Sequence, residues 1–193
     1  LLWHPPSAVT VYPFYDAFAG LAVPDGIPVL PIMEYEERHP LGRAEWMRAF
    51  GWLVGMEAEA DSAFRAVEER YLALSEAAER APSPRLKVFT GSIDGDAFWA
   101  PSGSSFIAQM LADAGVDYVF SDDREAGSIP VPFESLLEWN EQVDAWGLVW
   151  FDPDSVTWPE IAASHPVYAQ LRPRGGHVFV ANSRTCDYFG ALV

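Results

Sequence analysis

The densest polar chemistry in this sequence lies in Glu34-Tyr35-Glu36-Glu37-Arg38-His39, directly before Pro40-Leu41-Gly42-Arg43-Ala44-Glu45-Trp46. Carboxylates, a phenol, a guanidinium and an imidazole in six consecutive positions can bind a polar ligand or pair with one another. Adjacent side chains cannot all point one way, so spacing does not make the three glutamates a metal site. The cluster follows an apolar run, Ile27 to Met33, that reads as a strand. Ligands of open α/β sheets gather at the carboxyl ends of strands. The cluster therefore reads either as a cleft wall or as a solvated loop whose ion pairs are each worth little.

A second concentration is Phe98-Trp99-Ala100-Pro101-Ser102-Gly103-Ser104-Ser105. An aromatic pair that could stack on a ligand precedes small polar residues at a helix start, a place that favours anions. Ordinary capping accounts for Ser102 or Ser104 equally well. No Gly-Lys-Ser/Thr is present, so a phosphate loop is not indicated, and no Gly-x-Ser-x-Gly elbow occurs. The four histidines lack metal-ligand spacing. His4, His39 and His165 each precede a proline, which suits turns. Of the eight tryptophans, Trp46, Trp99 and Trp150 fall near element ends, where they can line a site.

These residues need a scaffold, and the pattern supplies one. Ala8 to Tyr12 and Ile27 to Met33 read as strands around a helix at Tyr15 to Ala22, a parallel unit with a right-handed crossover. Pro28 and Pro31 argue for an edge or irregular position of the second strand. Leu41 to Val54 is a helix started by Pro40 and ended by Gly55. A longer helix runs from Glu57 to Arg80, with Ala60, Phe64, Val67, Tyr71, Leu74 and Ala78 as an apolar stripe. At about 1.5 Å per residue it is a rod of roughly 36 Å, about a small domain's diameter. After Ala81-Pro82-Ser83-Pro84 a new α/β alternation begins. Strands are expected at Leu86 to Thr90, Ala97 to Ala100, Tyr118 to Phe120, Ala145 to Phe151 and Val178 to Ala181, with Gly91 to Asp96 as a loop. Helices are expected after Ser104, from Pro132 or Phe133, and at Trp158 to Ala163. Alternation of this kind implies a parallel or mixed sheet covered on both faces.

Composition narrows the function. With half of its 193 residues apolar and 14% aromatic, the chain can bury a sizeable core. Its 28 acidic and 12 basic residues give a formal charge of −16, which disfavours nucleic acid and anionic lipid as partners. The single cysteine, Cys186, rules out a disulfide within the chain and reads as a buried apolar side chain. No run is long enough to span a membrane.

Taken in order, several segments resemble one known family. Gly26-Ile27-Pro28-Val29, Glu34-Tyr35 and Pro40-Leu41-Gly42-Arg43-Ala44-Glu45-Trp46 look like the end of the first lobe in helical-backbone (class III) substrate-binding proteins. These serve ABC importers of iron-siderophore complexes, haem and cobalamin. Phe50-Gly51-x-x-x-Gly55, Glu59-Ala60-Asp61, Phe64 and Tyr71 match the spanning helix region. Gly91, Trp99-x-Pro101-x-Gly103-x-Ser105, Ala108-x-x-Leu111-x-x-Ala114-Gly115-x-x-Tyr118 and Val178-x-x-Ala181-Asn182 match the second lobe. The similarity covers nearly the whole chain, although Pro6-Ser7 stands where the family has Pro-Asp.

The resemblance implies two Rossmann-like α/β lobes joined by a long spanning helix, with the first lobe only partly present. Residues 1–40 would be its remnant, 41–82 the helix pair and 83–193 the second lobe. The rest of the first lobe would precede residue 1, and a closing helix would follow Val193. The implied function is capture of a small-molecule metal chelate (siderophore, haem or corrinoid) and its delivery to ABC permease subunits. Such a protein is periplasmic or otherwise extracytoplasmic, a monomer, without catalysis or cofactor, and can be lipid-anchored through a further segment. Tyr12, Phe14, Tyr35, Arg38, Trp99, Asn182, Arg184 and Tyr188 are the cleft candidates, aromatics packing on the ligand and arginines pairing with its oxygens. Glu134, in Pro132-Phe133-Glu134-Ser135, is the expected permease-docking residue, and helix capping explains it equally well. Two other classes compete. A hydrolase would pair Glu34 or Glu36 with Asp94, Asp122 or Asp123. A surface adaptor would bind a protein through tryptophan-rich patches.

Overall fold

The computed structural model describes residues 9–11, 26–81, 84–125, 127–150, 157–171 and 173–181. The described residues form a mixed α/β structure with six α-helices and two sheets.

In the smaller sheet, β1 (Val9–Val11) lies parallel to β2 (Val29–Pro31) with Val9 opposite Val29. This is the parallel pairing expected of a crossover unit. The helix expected at Tyr15 to Ala22 lies outside the described residues. A single 3₁₀ turn, Glu34–Glu36, follows β2.

Two helices come next. In α1 (Pro40–Val54) His39 is the N-cap, its Nδ1 accepting from the Leu41 N–H, and Pro40 opens the first turn. Gly55, at φ 72°, ends it in the left-handed conformation that glycine adopts without strain. The second helix, α2 (Glu57–Glu79), is 23 residues long, a rod of about 35 Å. The two touch closely at Gly51, where a β-carbon would collide with the Ala60 methyl and the Met56 carbonyl. Arg48 bridges the pair. It donates to Glu45 at 2.9 Å and to Asp61 at 2.6 Å, and its guanidinium lies 4.1 Å above the Phe64 ring. Most of the expected stripe of α2 is at least half-buried, but Leu74 is exposed and only Phe64 is fully buried.

The larger sheet has the order β6-β4-β3-β7-β8, with β5 also paired to β3. Its strands are β3 (Lys87–Asp94), β4 (Ala97–Pro101), β5 (Asp117–Tyr118), β6 (Ser128–Val131), β7 (Ala145–Val149) and β8 (His177–Ala181). β5, β3, β7 and β8 run parallel, whereas β4 lies antiparallel to β3 and β6 antiparallel to β4. The expected loop at Gly91 to Asp96 is instead the end of β3 and a tight turn at Gly95-Asp96, because Ser92 to Asp94 pair with β4. Serine, glycine and aspartate concealed a strand that cross-strand partners stabilise. Phe120 falls in a turn, outside β5. β6 was not expected. It is an edge strand, which is why it tolerates Pro130 opposite Trp99.

One face of this sheet carries α4 (Phe133–Asn140), α5 (Trp158–Ser164) and α6 (Pro166–Gln170) over Phe89, Phe98, Trp146 and Leu148. The other packs α3 (Phe106–Asp113) on Val88, Tyr118 and Ala145. The Tyr118 phenol donates to the Pro101 carbonyl at 2.6 Å and is pushed up by its burial, with Asp123 adding. Asp113, at the end of α3, joins this sheet to the helix pair. Its carboxylate accepts from the Tyr71 hydroxyl at 2.6 Å and the Gln109 amide at 2.9 Å, and His39 Nε2 lies 3.9 Å away. The Arg43 guanidinium sits 4.5 Å above the Phe106 ring.

Candidate functional site

Parallel strands β3 and β7 end on the same side of the sheet, and a cleft of about 450 Å³ opens there. Its floor comes from Ser92 and Ile93 near the end of β3 and from Val149 and Trp150 at the end of β7. Gly95, in the β3–β4 turn, forms one rim, and Ser164, His165 and Tyr168 form the opposite wall.

The wall is built from two short helices set end to end. Thr157 caps α5 in a reciprocal box with Glu160, whose carboxylate accepts from the Thr157 hydroxyl and N–H and is held below its usual range by those two bonds. His165 ends α5 and caps α6, its Nδ1 accepting from the Val167 N–H at 3.2 Å. Pro166 opens α6, so a His-Pro pair starts both α1 and α6. The His165 ring is tilted against Phe133 at 5.2 Å. Tyr168 is almost fully buried against Trp146, and its hydroxyl accepts from the Ile93 N–H at 2.7 Å. Burial pushes this phenol up, and the Ile93 bond opposes it. Ser164 donates to the Ile161 carbonyl at 2.7 Å. The result is a wall of polar groups and aromatic rings, held from behind by hydrogen bonds to the backbone.

The expected site residues fall in three places. Trp99 stands on β4 opposite Ser92, 40% exposed, its indole donating to the Asp94 carbonyl at 3.3 Å. Its side chain alternates with those of Phe98 and Ala100, which pack with Tyr168, so it points to the other face of the sheet and does not line this cleft. Tyr35 and Arg38 lie before α1, in or just after the 3₁₀ turn, and do not line this cleft. Tyr35 is half-buried, and its phenol is pushed up by burial and by Glu36 and Glu34. Around it, Glu34 pairs with Arg43 at 3.5 Å and Glu37 accepts from the Trp46 indole at 3.0 Å. These contacts tie the polar cluster to α1. Tyr12, Phe14, Asn182, Arg184 and Tyr188 lie outside the described residues. Glu134 is exposed in the first turn of α4. Of the carboxylates a hydrolase would need, none lines the cleft among the described residues. Nor do three His, Cys, Asp or Glu side chains gather there as a metal site.

Sequence reading placed Trp150 near a site and missed Ser92, His165 and Tyr168. The only local signal was His165-Pro166, a helix-start pair that reads equally as a turn.

The model of the family described as "Periplasmic binding protein" matches residues 24–183. The chain belongs to this family. An uncharacterised lipoprotein of Methanocaldococcus jannaschii is 28% identical over 179 residues, covering 90% of this chain and 42% of the relative. The fold matches an ABC-type Fe³⁺-hydroxamate transport protein of Saccharomonospora viridis with TM-score 0.63 at 19% identity, covering 89% of this chain and 63% of that one. It also matches a periplasmic haem-binding protein of Pseudomonas aeruginosa with TM-score 0.59 at 17% identity, covering 82% and 56%. The chain thus spans less than two thirds of each of these relatives.

Proposed function

We propose that this periplasmic binding protein captures a metal chelate of the iron-siderophore, haem or cobalamin type outside the cytoplasm and delivers it to the permease of an ABC importer. The observation that carries this reading is the cleft at the carboxyl edge of the larger sheet, where open α/β folds bind ligands, in a chain of this family. Trp150 and Tyr168 offer aromatic surface, while Ser92 and His165 offer polar contacts. Proteins of similar fold described as an ABC-type Fe³⁺-hydroxamate transport system and a periplasmic haem-binding protein support the ligand class. The lipoprotein relative supports an extracytoplasmic location. Among the described residues no helix is long and apolar enough to cross a membrane.

In this reading the protein works as a monomer, binds one chelate and breaks no bond. The long α2, fastened at Asp113, limits relative movement of its two ends, so little contraction accompanies binding. Glu134 docks on the permease, where an exposed carboxylate in a helix's first turn can pair with arginine.

A thermal-shift panel of ferric chelates, haemin and corrinoids tests the function. At least one class should raise the melting temperature at micromolar ligand. No shift with any of them would reject the reading. Glu134→Ala should leave that shift intact while lowering uptake through a reconstituted permease.

A further inference from the structure

His165 stands between the cleft and a second part of the surface. It lines the cleft wall, and it is the single residue that both ends α5 and starts α6, in extended backbone (φ −153°, ψ 138°). Two aromatic rings flank its imidazole among the described residues. Tyr168 meets it edge-on at 6.1 Å, and Phe133 lies against it at 5.2 Å, tilted by 47°. Phe133 is the first residue of α4, and the exposed Glu134 is the second. One imidazole therefore touches both the cleft and the turn that presents Glu134.

How a displacement of that ring spreads depends on which neighbour yields. Tyr168 is held firmly. It is 4% exposed, packs on the sealed Trp146 and accepts from the Ile93 N–H at 2.7 Å. The hydrogen bond that seats His165, from the Val167 N–H, is longer at 3.2 Å, the upper end of the normal range. Phe133 is the softer neighbour. It is half-buried at the margin of the core cluster, and its helix starts from Pro132, which has no side-chain group to cap the free N–H groups of the first turn. Both α5 and α6 start from a side-chain cap. Beyond that first turn α4 is pinned by Leu136, which is fully buried. A push on His165 from the cleft is therefore taken up by Phe133 and the start of α4 rather than by Tyr168.

We propose that occupancy of the cleft is relayed through His165 and Phe133 to the first turn of α4, so that the loaded protein presents Glu134 in a different setting from the empty one. This rests on the reading of the protein as a chelate-binding component that docks through Glu134. Phe133 does not line the cleft and acts as a positioning residue. A partner that distinguishes the two settings binds the loaded form preferentially, and by linkage it tightens chelate binding by the same factor.

The test uses the full chain. A ferric tris-hydroxamate, haemin and cyanocobalamin are screened by thermal shift, and the probe that raises the melting temperature most is used at saturation. Hydrogen exchange in residues 133–140 should change by at least about fivefold on binding, the low end of usual coupling factors, alongside slowing in residues 91–95 and 148–150. Phe133→Leu keeps an apolar side chain but has no ring to lie against the imidazole. It should hold chelate affinity within about threefold, retain the slowing at 91–95 and 148–150, and lose the change in 133–140. Phe133→Tyr keeps the ring and should keep that change. Should Phe133→Leu not fold, Phe133→Met fills the space more fully and takes its place. An unchanged α4 in the unmodified protein, while 91–95 and 148–150 slow, would overturn the relay and leave the chelate-binding reading standing. So would a change in α4 that survives Phe133→Leu. No rise in melting temperature with any probe would overturn both.

Discussion

In the larger sheet Phe89, Phe98 and Trp146 are sealed from water, whereas along the 23 residues of α2 only Phe64 is fully buried. The sheet coheres through apolar contact on both faces. The helix pair coheres through a few specific contacts: the close approach at Gly51, the Arg48 bridge over Phe64, and the Asp113 junction. Burial is non-directional and tolerant, while such contacts fix one geometry and fail singly. The sheet can therefore serve as a stable platform for a ligand edge, and the helix pair as a strut whose orientation is set at a few points.

The largest expected effect lies in the core. Trp146→Ala should cost about 3–5 kcal/mol in denaturant unfolding, because the ring fills the space between Phe89, Trp158 and Tyr168. It also removes part of the backing of the cleft wall, so ligand binding should weaken with it. A loss below about 1 kcal/mol would show that this core repacks easily and would blunt the contrast between the two regions.

Gly51→Val comes next, at about 1–3 kcal/mol, because its branched side chain meets Ala60 and the Met56 backbone. Near-ultraviolet dichroism should show altered packing of the helix pair while the chelate affinity stays the same. A loss of affinity equal to that of Trp146→Ala would erase the distinction between strut and platform.

Sequence periodicity made α1 and α2 legible almost to their ends, because Pro40, Gly55 and the apolar stripe are local signals. The parallel strands β7 and β8 were legible as apolar runs. The first half of β3 and β4 were legible too, but the extension of β3 through Ser92 to Asp94 and the strand β6 were not, since Ser92, Asp94 and Pro130 are poor strand residues held by their cross-strand partners. The site divided in the same way. Trp150 falls at the end of β7 as expected, whereas Trp99 lies in the middle of β4. His165 and Tyr168 enter the cleft only because α5 and α6 turn back onto β3 through the Tyr168–Ile93 bond, a contact 75 residues apart. The Glu34–His39 cluster drew notice for its density of charge, and much of that charge ties the segment to α1.

Asp113→Ala should have a smaller effect, about 1–2 kcal/mol, from loss of the bonds to Tyr71 and Gln109. Burial and the Asp113 carboxylate together push the Tyr71 phenol up, so this junction stays protonated on the phenol side throughout the physiological range. Hydrogen exchange should quicken in α2 and hardly change in β3 and β7. Equal quickening in both would mean that the two regions unfold as one unit.

The smallest effect concerns pH. Asp144 is held below its usual carboxylate range by the Lys87 N–H first and by Arg174 next. A carboxylate depressed in the folded state adds stability above its unfolded pKa of about 4 and loses that contribution as pH falls through the lower folded value. The melting temperature of Asp144→Asn should therefore lie below that of the unmodified protein at pH 7, with the gap closing toward pH 3. A gap independent of pH would remove Asp144 from the account.

The central claim is that a ligand binds at the carboxyl edge of the larger sheet. Hydrogen-exchange mass spectrometry of the chain, with and without a saturating concentration of the chelate that raises its melting temperature most, tests it most directly. Slower exchange is predicted in residues 91–95, 148–150 and 164–168, with the exposed face of α2 unchanged. Protection confined to α2, or absent from all three segments while the chelate is bound, would contradict it.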